Sequence, residues 1–286
     1  MACYGAEVPT PRVSYLICST PRTGSSMLCD ALTLTGAAGR PEEYFQFRAR
    51  TGYPRRPQEY FEAADDPEIF DILGPRTRVE DDESRYDPSR YERYEDYLAW
   101  ALEEGTTPNG VFGAKVMWGY FNGFVTGLRW AVPGRQRLSV CELAPSVFPE
   151  LRYLSVTRRD KVRQAVSLWR ALQSWSWSSD AGVALDEADR LRYSAAAIDY
   201  LVRDIQAHED EWQGYFRECG VQPCTVVYED FVQNYEGTIR DILRHVGAPE
   251  AETAVIAQPR LRPQSDGLSR SWAERYHAET GRLASA

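Results

Sequence analysis

The chain has 286 residues, 43% of them hydrophobic, which is enough for a substantial buried core. Its 33 basic and 42 acidic residues give a formal charge of −9, which argues against bulk nucleic-acid binding and against an anionic membrane surface, but not against a basic pocket for one nucleotide. No apolar run approaches the roughly 20 residues of a membrane-spanning helix, and residues 1–11 lack a basic stretch followed by an apolar one, so neither an anchor nor a signal peptide is expected.

An apolar run at 13–18 predicts a buried strand, and residues 25–35 predict a helix. Between them lies Ser19-Thr20-Pro21-Arg22-Thr23-Gly24-Ser25-Ser26. A strand, a tight Gly/Ser turn and a helix start make an anion site, because free N–H groups and the positive end of the helix dipole face the ligand. This is not a Walker A loop: Ser25 follows Gly24 where a Lys belongs, the first glycine is absent, and the cation stands at Arg22. A polar, loop-rich insertion follows at about 40–108. Within it Asp87-Pro88 reads as a helix start continued by Tyr91, Tyr94, Leu98 and Ala101. A turn at 107–110 precedes a second strand at 111–118. There Phe112, Ala114, Val116 and Trp118 share one face, and Lys115 and Met117 the other.

A third strand at 151–157 runs into Arg158-Arg159-Asp160, and a helix continues through Val162, Val166 and Trp169. A long helix at about 188–219 carries the apolar stripe Leu191, Ala195, Ile198, Leu201, Val202, Ile205 and Trp212 and stops at Gly220. A fourth strand at 224–228 leads into a helix through Phe231, Tyr235, Ile239, Ile242 and Val246, ended by Gly247, and then an Arg-rich tail. This alternation predicts an α/β fold, a mainly parallel central sheet flanked by helices, in one domain over 1–286.

A second nucleotide signal lies at 157–170. Arg158 leaves a strand end and Ser167 lies in the next helix, and a guanidinium and a hydroxyl brought together this way grip a phosphate. Both loops fall beyond the carboxyl ends of strands, where open α/β sheets bind ligands. Only two lysines, Lys115 and Lys161, occur in the chain, which singles out Lys115 as a place for a compact ammonium, either stabilising charge on a transferred group or forming a strand-end salt bridge. The six cysteines show no CxxC or zinc-ribbon spacing; Cys18 and Cys29 read as small core residues, and a reducing cytoplasm is expected. No metal-ligand set clusters in the sequence, so no metal is expected.

The chain resembles the bacterial trehalose 2-sulfotransferase family. The resemblance runs through residues 19–26, Gly39-Arg40-Pro41-Glu42-Glu43-Tyr44-Phe45, residues 110–118, 158–171 and 271–276. The first block is shared with sulfotransferases at large, whereas the second and fourth are particular to this family. It implies a P-loop-like α/β sandwich, a homodimer, and 3′-phosphoadenosine 5′-phosphosulfate (PAPS) as donor. By the same resemblance Arg22, Thr23, Gly24, Ser25 and Ser26 would bind the 5′-phosphosulfate, Arg158 and Ser167 the 3′-phosphate, and Glu43 would be the general base. A base is needed because the attacking hydroxyl must lose its proton. All three histidines lie in the C-terminal third, which favours a carboxylate; Glu42, Glu43 and Glu59 are close in sequence, and the family context selects Glu43. Catalysis would rest on Glu43, Arg22 and Lys115. Arg40, Trp118 and Trp177 are the candidate acceptor contacts, Trp177 because an exposed ring beside a cleft stacks on a sugar.

Two departures from the family stand out: Thr23 replaces the commoner Ser, and residues 76–97 match no family block, so the resemblance does not extend to trehalose as the acceptor. The reading is a cytoplasmic, PAPS-dependent sulfotransferase acting on a hydroxyl of a carbohydrate or other polar small molecule, with no nucleic-acid or membrane partner. Its rivals are a P-loop small-molecule kinase, opposed by the missing lysine after Gly24, and an inactive nucleotide-binding module, opposed by the intact Glu43.

Overall fold

Four parallel strands form the frame of the computed structural model: β1 (Val13–Ser19), β2 (Val111–Met117), β3 (Arg152–Thr157) and β4 (Cys224–Val227), in the order β2-β1-β3-β4. The residues described are 11–75, 88–131, 134–174, 177, 190–260 and 267–281. The helices among them are α1 (Ser25–Leu34), α2 (Pro67–Leu73), α3 (Tyr94–Gly105), α4 (Trp118–Ala131), α5 (Val140–Leu143), α6 (Lys161–Ser174), α7 (Ala195–Glu218), α8 (Tyr228–Gln233), α9 (Tyr235–Val246) and α10 (Gly267–Thr280).

Side chains alternate across the sheet, so each strand feeds two layers. Leu16, Cys18, Phe112, Ala114 and Val116 pack on one face with α3, α4 and the C-terminal end of α7. Tyr15, Ile17, Leu154, Val156 and Val226 pack on the other with α1 and α9. A third apolar cluster joins α6, the N-terminal half of α7, α10 and residues 60–73. The strand order decides where a ligand goes. From β1 the chain moves to β2 on one side and then to β3 on the other, so the loops leaving β1 and β3 diverge and open a crevice at their carboxyl ends.

Residues 40–75 of the polar stretch are more ordered than their composition suggests. Tyr44, Phe45 and Phe47 are buried, with Phe45 against Phe124 and Phe148. Burying each such ring contributes about 1.5–3 kcal/mol, which anchors this segment to the core. Gly39 lies at φ 70, so close to β2 that a Cβ would meet Gly113 N at 2.7 Å. The segment then bridges to β2, where Lys115 N–H donates to Glu42 O at 2.8 Å.

Several sequence expectations are corrected. Pro88 opens only a 3-10 turn, and α3 starts at Tyr94; Asp87 lies outside the described residues. Trp118 begins α4 instead of ending the strand. The long helix starts at Ala195, where Ser194 accepts from Ala197 N–H as a cap. The helix after β4 is two, divided at Asn234. The tail contains α10, and α2 is set by Asp66 accepting from Glu68 N–H with Pro67 behind it. Cys18 and Cys29 are buried core residues as expected, but Cys141 and Cys219 form a disulfide that ties α5 to the end of α7. Partners 78 residues apart in a chain without paired cysteine spacing gave no sequence signal.

Candidate active site

The loop from β1 to α1 is shaped by two left-handed residues, Arg22 at φ 65 and Gly24 at φ 81. Gly24 caps α1 without any side-chain hydrogen bond, so the first N–H groups of the helix remain open to a ligand. Beneath the loop, buried Gln164 of α6 donates to Thr20 Oγ1 at 2.9 Å and to Pro21 O at 2.7 Å, and Thr23 Oγ1 donates to Thr20 O at 3.2 Å. The loop is thereby fastened to the helix that follows β3.

Three arginines converge here. Arg22 Nε donates to Ser167 Oγ at 3.0 Å and its Nη1 to Trp177 O at 2.7 Å. Burial, then the charges of Arg158 and Arg170, push the Arg22 guanidinium down to about 10. Arg158 is also lowered by burial, and its buried Nε has no hydrogen-bond partner. Its guanidinium lies over the Tyr228 ring, Cζ 4.9 Å from the centroid, and Glu229 Oε1 stands 3.9 Å from its Nε. Like charges held together in a partly dry crevice are costly to bury and are relieved by an anion. Tyr228 serves both loops: its ring also fills the space beside Gly24, where a Cβ would lie 2.4 Å from Tyr228 Cδ2.

The far side of the crevice holds an ion pair. Lys115 Nζ lies 2.7 Å from Glu43 Oε1 and donates to Ser26 Oγ at 3.1 Å. Burial pulls the Lys115 ammonium downward, but Glu43, Cys29 and Glu42 more than offset this, and it titrates above its usual range. Lys115 is therefore a fixed cation at neutral pH. Glu43 spends one oxygen on it; the other, Oε2, is buried and has no hydrogen-bond partner.

The structure thus gathers Arg22, Thr23, Gly24, Ser25, Ser26, Arg158, Ser167, Lys115 and Glu43 around one crevice. Arg22 lies beside Ser167 and Arg158, so the loop cation and the second signal form one cluster instead of two separate ends. Trp177 is exposed at its rim, its ring 6.2 Å from Tyr60. Trp118 is half-buried, stacked on Phe121 at 4.7 Å and edge-on to Trp212 at 4.9 Å. Exposed Arg40 turns toward the end of α3, donating to Glu104 O at 3.4 Å. Sequence reasoning did not single out Tyr228, Gln164 or Arg170, nor Arg55, Tyr60 and Tyr120 beside Glu43. Arg55 and Tyr60 lie in a Pro- and Arg-rich stretch at 53–60 that reads locally as loop, so no local pattern marks the last group.

Residues 14–279 match the model of the Stf0 sulphotransferase family. The chain belongs to this family. It is 30% identical over 273 residues to a trehalose 2-sulfotransferase of Mycobacterium tuberculosis, covering 94% of this chain and 96% of that protein. A trehalose 2-sulfotransferase of Mycolicibacterium smegmatis is also 30% identical, over 272 residues and the same shares of each chain. A solved sulfotransferase from Alicyclobacillus acidocaldarius aligns over 96% of both chains with a TM-score of 0.43 and 14% identity. The chain is a sulfotransferase, a transferase enzyme, and the kinase and inactive-module readings are set aside.

Proposed function

We propose that this sulfotransferase uses PAPS as donor and a sugar hydroxyl as acceptor. The observation that carries the reading is Glu43: one oxygen is pinned by Lys115, which also donates to Ser26 of the loop after β1, and the other is buried and unbonded. When bound, PAPS supplies a sulfuryl group already joined to a phosphate that leaves readily. The residues fit such a donor, since the uncapped start of α1, the unpartnered Nε of Arg158 and the charge-crowded Arg22 all call for anions. The N–H groups of 23–26 and Lys115 would hold the 5′ end, Arg158 and Ser167 the 3′-phosphate, with Arg22 between them.

Glu43 Oε2 takes the proton of the attacking hydroxyl, a contribution of about 10²–10⁴-fold in general-base catalysis. Lys115 keeps the carboxylate oriented and, with Arg22 and the α1 N–H groups, holds negative charge at the crevice. Trp177 at the rim offers a face to a sugar ring. Arg40 and Trp118, held against α3 and the core, stand as acceptor contacts only through the segments they anchor.

The proposal extends to a homodimer, as the family resemblance implies, and to a cytoplasmic location. For the latter, Cys18, Cys29 and Cys224 are free, whereas the Cys141–Cys219 bond weighs toward oxidising surroundings; titrating thiols in protein taken from cells decides between them. Among the described residues no helix is long and apolar enough to cross a membrane.

Heat denaturation tests the donor. Adenosine 3′,5′-bisphosphate (PAP) is expected to raise Tm well beyond ATP at equal concentration, because stabilisation follows affinity by mass action. Equal shifts would overturn the donor assignment.

A further inference from the structure

We propose that the acceptor carries an oxyanion, a carboxylate or a phosphate, and that Arg55 receives it. This rests on the proposed sulfuryl transfer at Glu43 and names the class of sugar that the site selects.

Arg55 is held in a rigid frame. Its backbone N–H donates to Tyr120 OH at 3.0 Å. Its guanidinium lies over the Tyr60 ring, Cζ 5.1 Å from the centroid. On another side it rests against the backbone of Gly119, where a Cβ would stand 3.0 Å from Arg55 Nη1. Any side chain at 119 would crowd this position.

What the frame does not provide is an anion. Arg55 Nε is buried without a hydrogen bond, and among the described residues no carboxylate lies within ion-pair distance of this guanidinium. Acidic residues are not scarce: the chain has 42 of them, and two stand in the same segment. Both go to Arg48 instead, Glu59 at 3.1 Å and Glu62 at 2.7 Å. Arg55 is left as an oriented fork that no carboxylate among the described residues meets at ion-pair distance, and a guanidinium fork matches carboxylate or phosphate in bidentate fashion.

Its position is beside the chemistry. Tyr60 and Tyr120 each feel the charges of both Arg55 and Glu43, so cation and base flank the same pair of phenols. Trp177 closes on Tyr60 from the rim. An acceptor with its hydroxyl at Glu43 and its ring toward Trp177 therefore presents a substituent to Arg55. The donor's anions have their own cations in Arg22, Arg158 and Lys115, so the charge of Arg55 remains for the acceptor.

The test uses the full-length protein with ³⁵S-labelled PAPS and a bacterial metabolite extract divided on an anion-exchange resin into neutral and acidic pools. Label is expected to enter compounds of the acidic pool at least tenfold faster. Arg55→Gln should remove that preference while PAP affinity stays unchanged. Arg55→Lys, which keeps the charge and loses the fork, should fall between. Equal or faster labelling of the neutral pool would overturn the proposal and leave the sulfuryl-transfer reading standing, as would an equal loss from both pools in Arg55→Gln. No label in either pool, with PAP still bound, would contradict sulfuryl transfer to a metabolite and the proposal with it.

Discussion

Adding one methyl group at Gly24 tests whether the anion loop is built as described. Gly24 lies at φ 81, and placing an L side chain in the left-handed region costs about 1–2 kcal/mol. The new Cβ would also meet Tyr228 Cδ2 at 2.4 Å and Cε2 at 2.9 Å. The ring cannot withdraw freely, because Arg158 lies over it at 4.9 Å. Overpacking of this kind costs about 1–3 kcal/mol more, so Gly24→Ala should lose about 2–5 kcal/mol of stability in urea denaturation. It should also weaken PAP binding, since the loop and the ring under Arg158 are displaced together. Tyr228→Leu in the same background should recover the part due to the clash but not the part due to the backbone, and the double-mutant cycle separates the two. A Gly24→Ala protein within about 0.5 kcal/mol of wild type would refute this account of the loop.

Three further outcomes follow from the geometry. Ser167→Ala should weaken PAP binding by about 1–3 kcal/mol, the range for a hydrogen bond to a charged group, with little change in Tm; calorimetric titration measures it. Reducing the Cys141–Cys219 bond, which closes a span of 78 residues, should cost about 2–4 kcal/mol, seen as a lower Tm under reductant that a Cys141→Ser, Cys219→Ser protein reproduces without it. His208 and His245 are both held below the ordinary imidazole value of 6.5, chiefly by burial. The unfolded chain then binds more protons between the depressed values and 6.5, so stability should fall as pH drops below about 6.5, and His208→Asn should flatten part of that slope.

Much of the frame was legible because strand patterns and glycine stops are local signals. The runs at 13–18 and 224–228 and the stops at Gly220 and Gly247 depend on neighbouring residues alone, and the structure places them within a residue or two. What failed depended on tertiary context. Residues 44–47 carry no helix or strand periodicity, and their order comes from Tyr44, Phe45 and Phe47 entering the core across sequence distance. Asn234 divides a helix that apolar spacing alone reads as continuous.

The site divides in the same way. Residues 22–26, Arg158 and Ser167 stand out by residue type, order and family resemblance, and the structure brings Arg22 beside Ser167 and Arg158. Lys115 stood out because lysine is rare here, and the structure adds what the sequence did not hold, its contact with Glu43 through the bridge between residue 42 and β2. Tyr228, lying against the loops after β1 and β3, and Arg55, on its aromatic frame, owe their positions to chain crossings that no local pattern records.

The central claim is that Glu43 accepts the acceptor's proton, and the most direct measurement is the single-turnover rate of Glu43→Gln with PAPS and the labelled acceptor identified from the extract. Glutamine keeps the size and the contact with Lys115 but takes no proton. The account predicts a rate lower by about 10²–10⁴-fold, PAP affinity near that of wild type, and a much smaller effect for Glu42→Gln, which removes a neighbouring charge. A Glu43→Gln rate within a few-fold of wild type would contradict it.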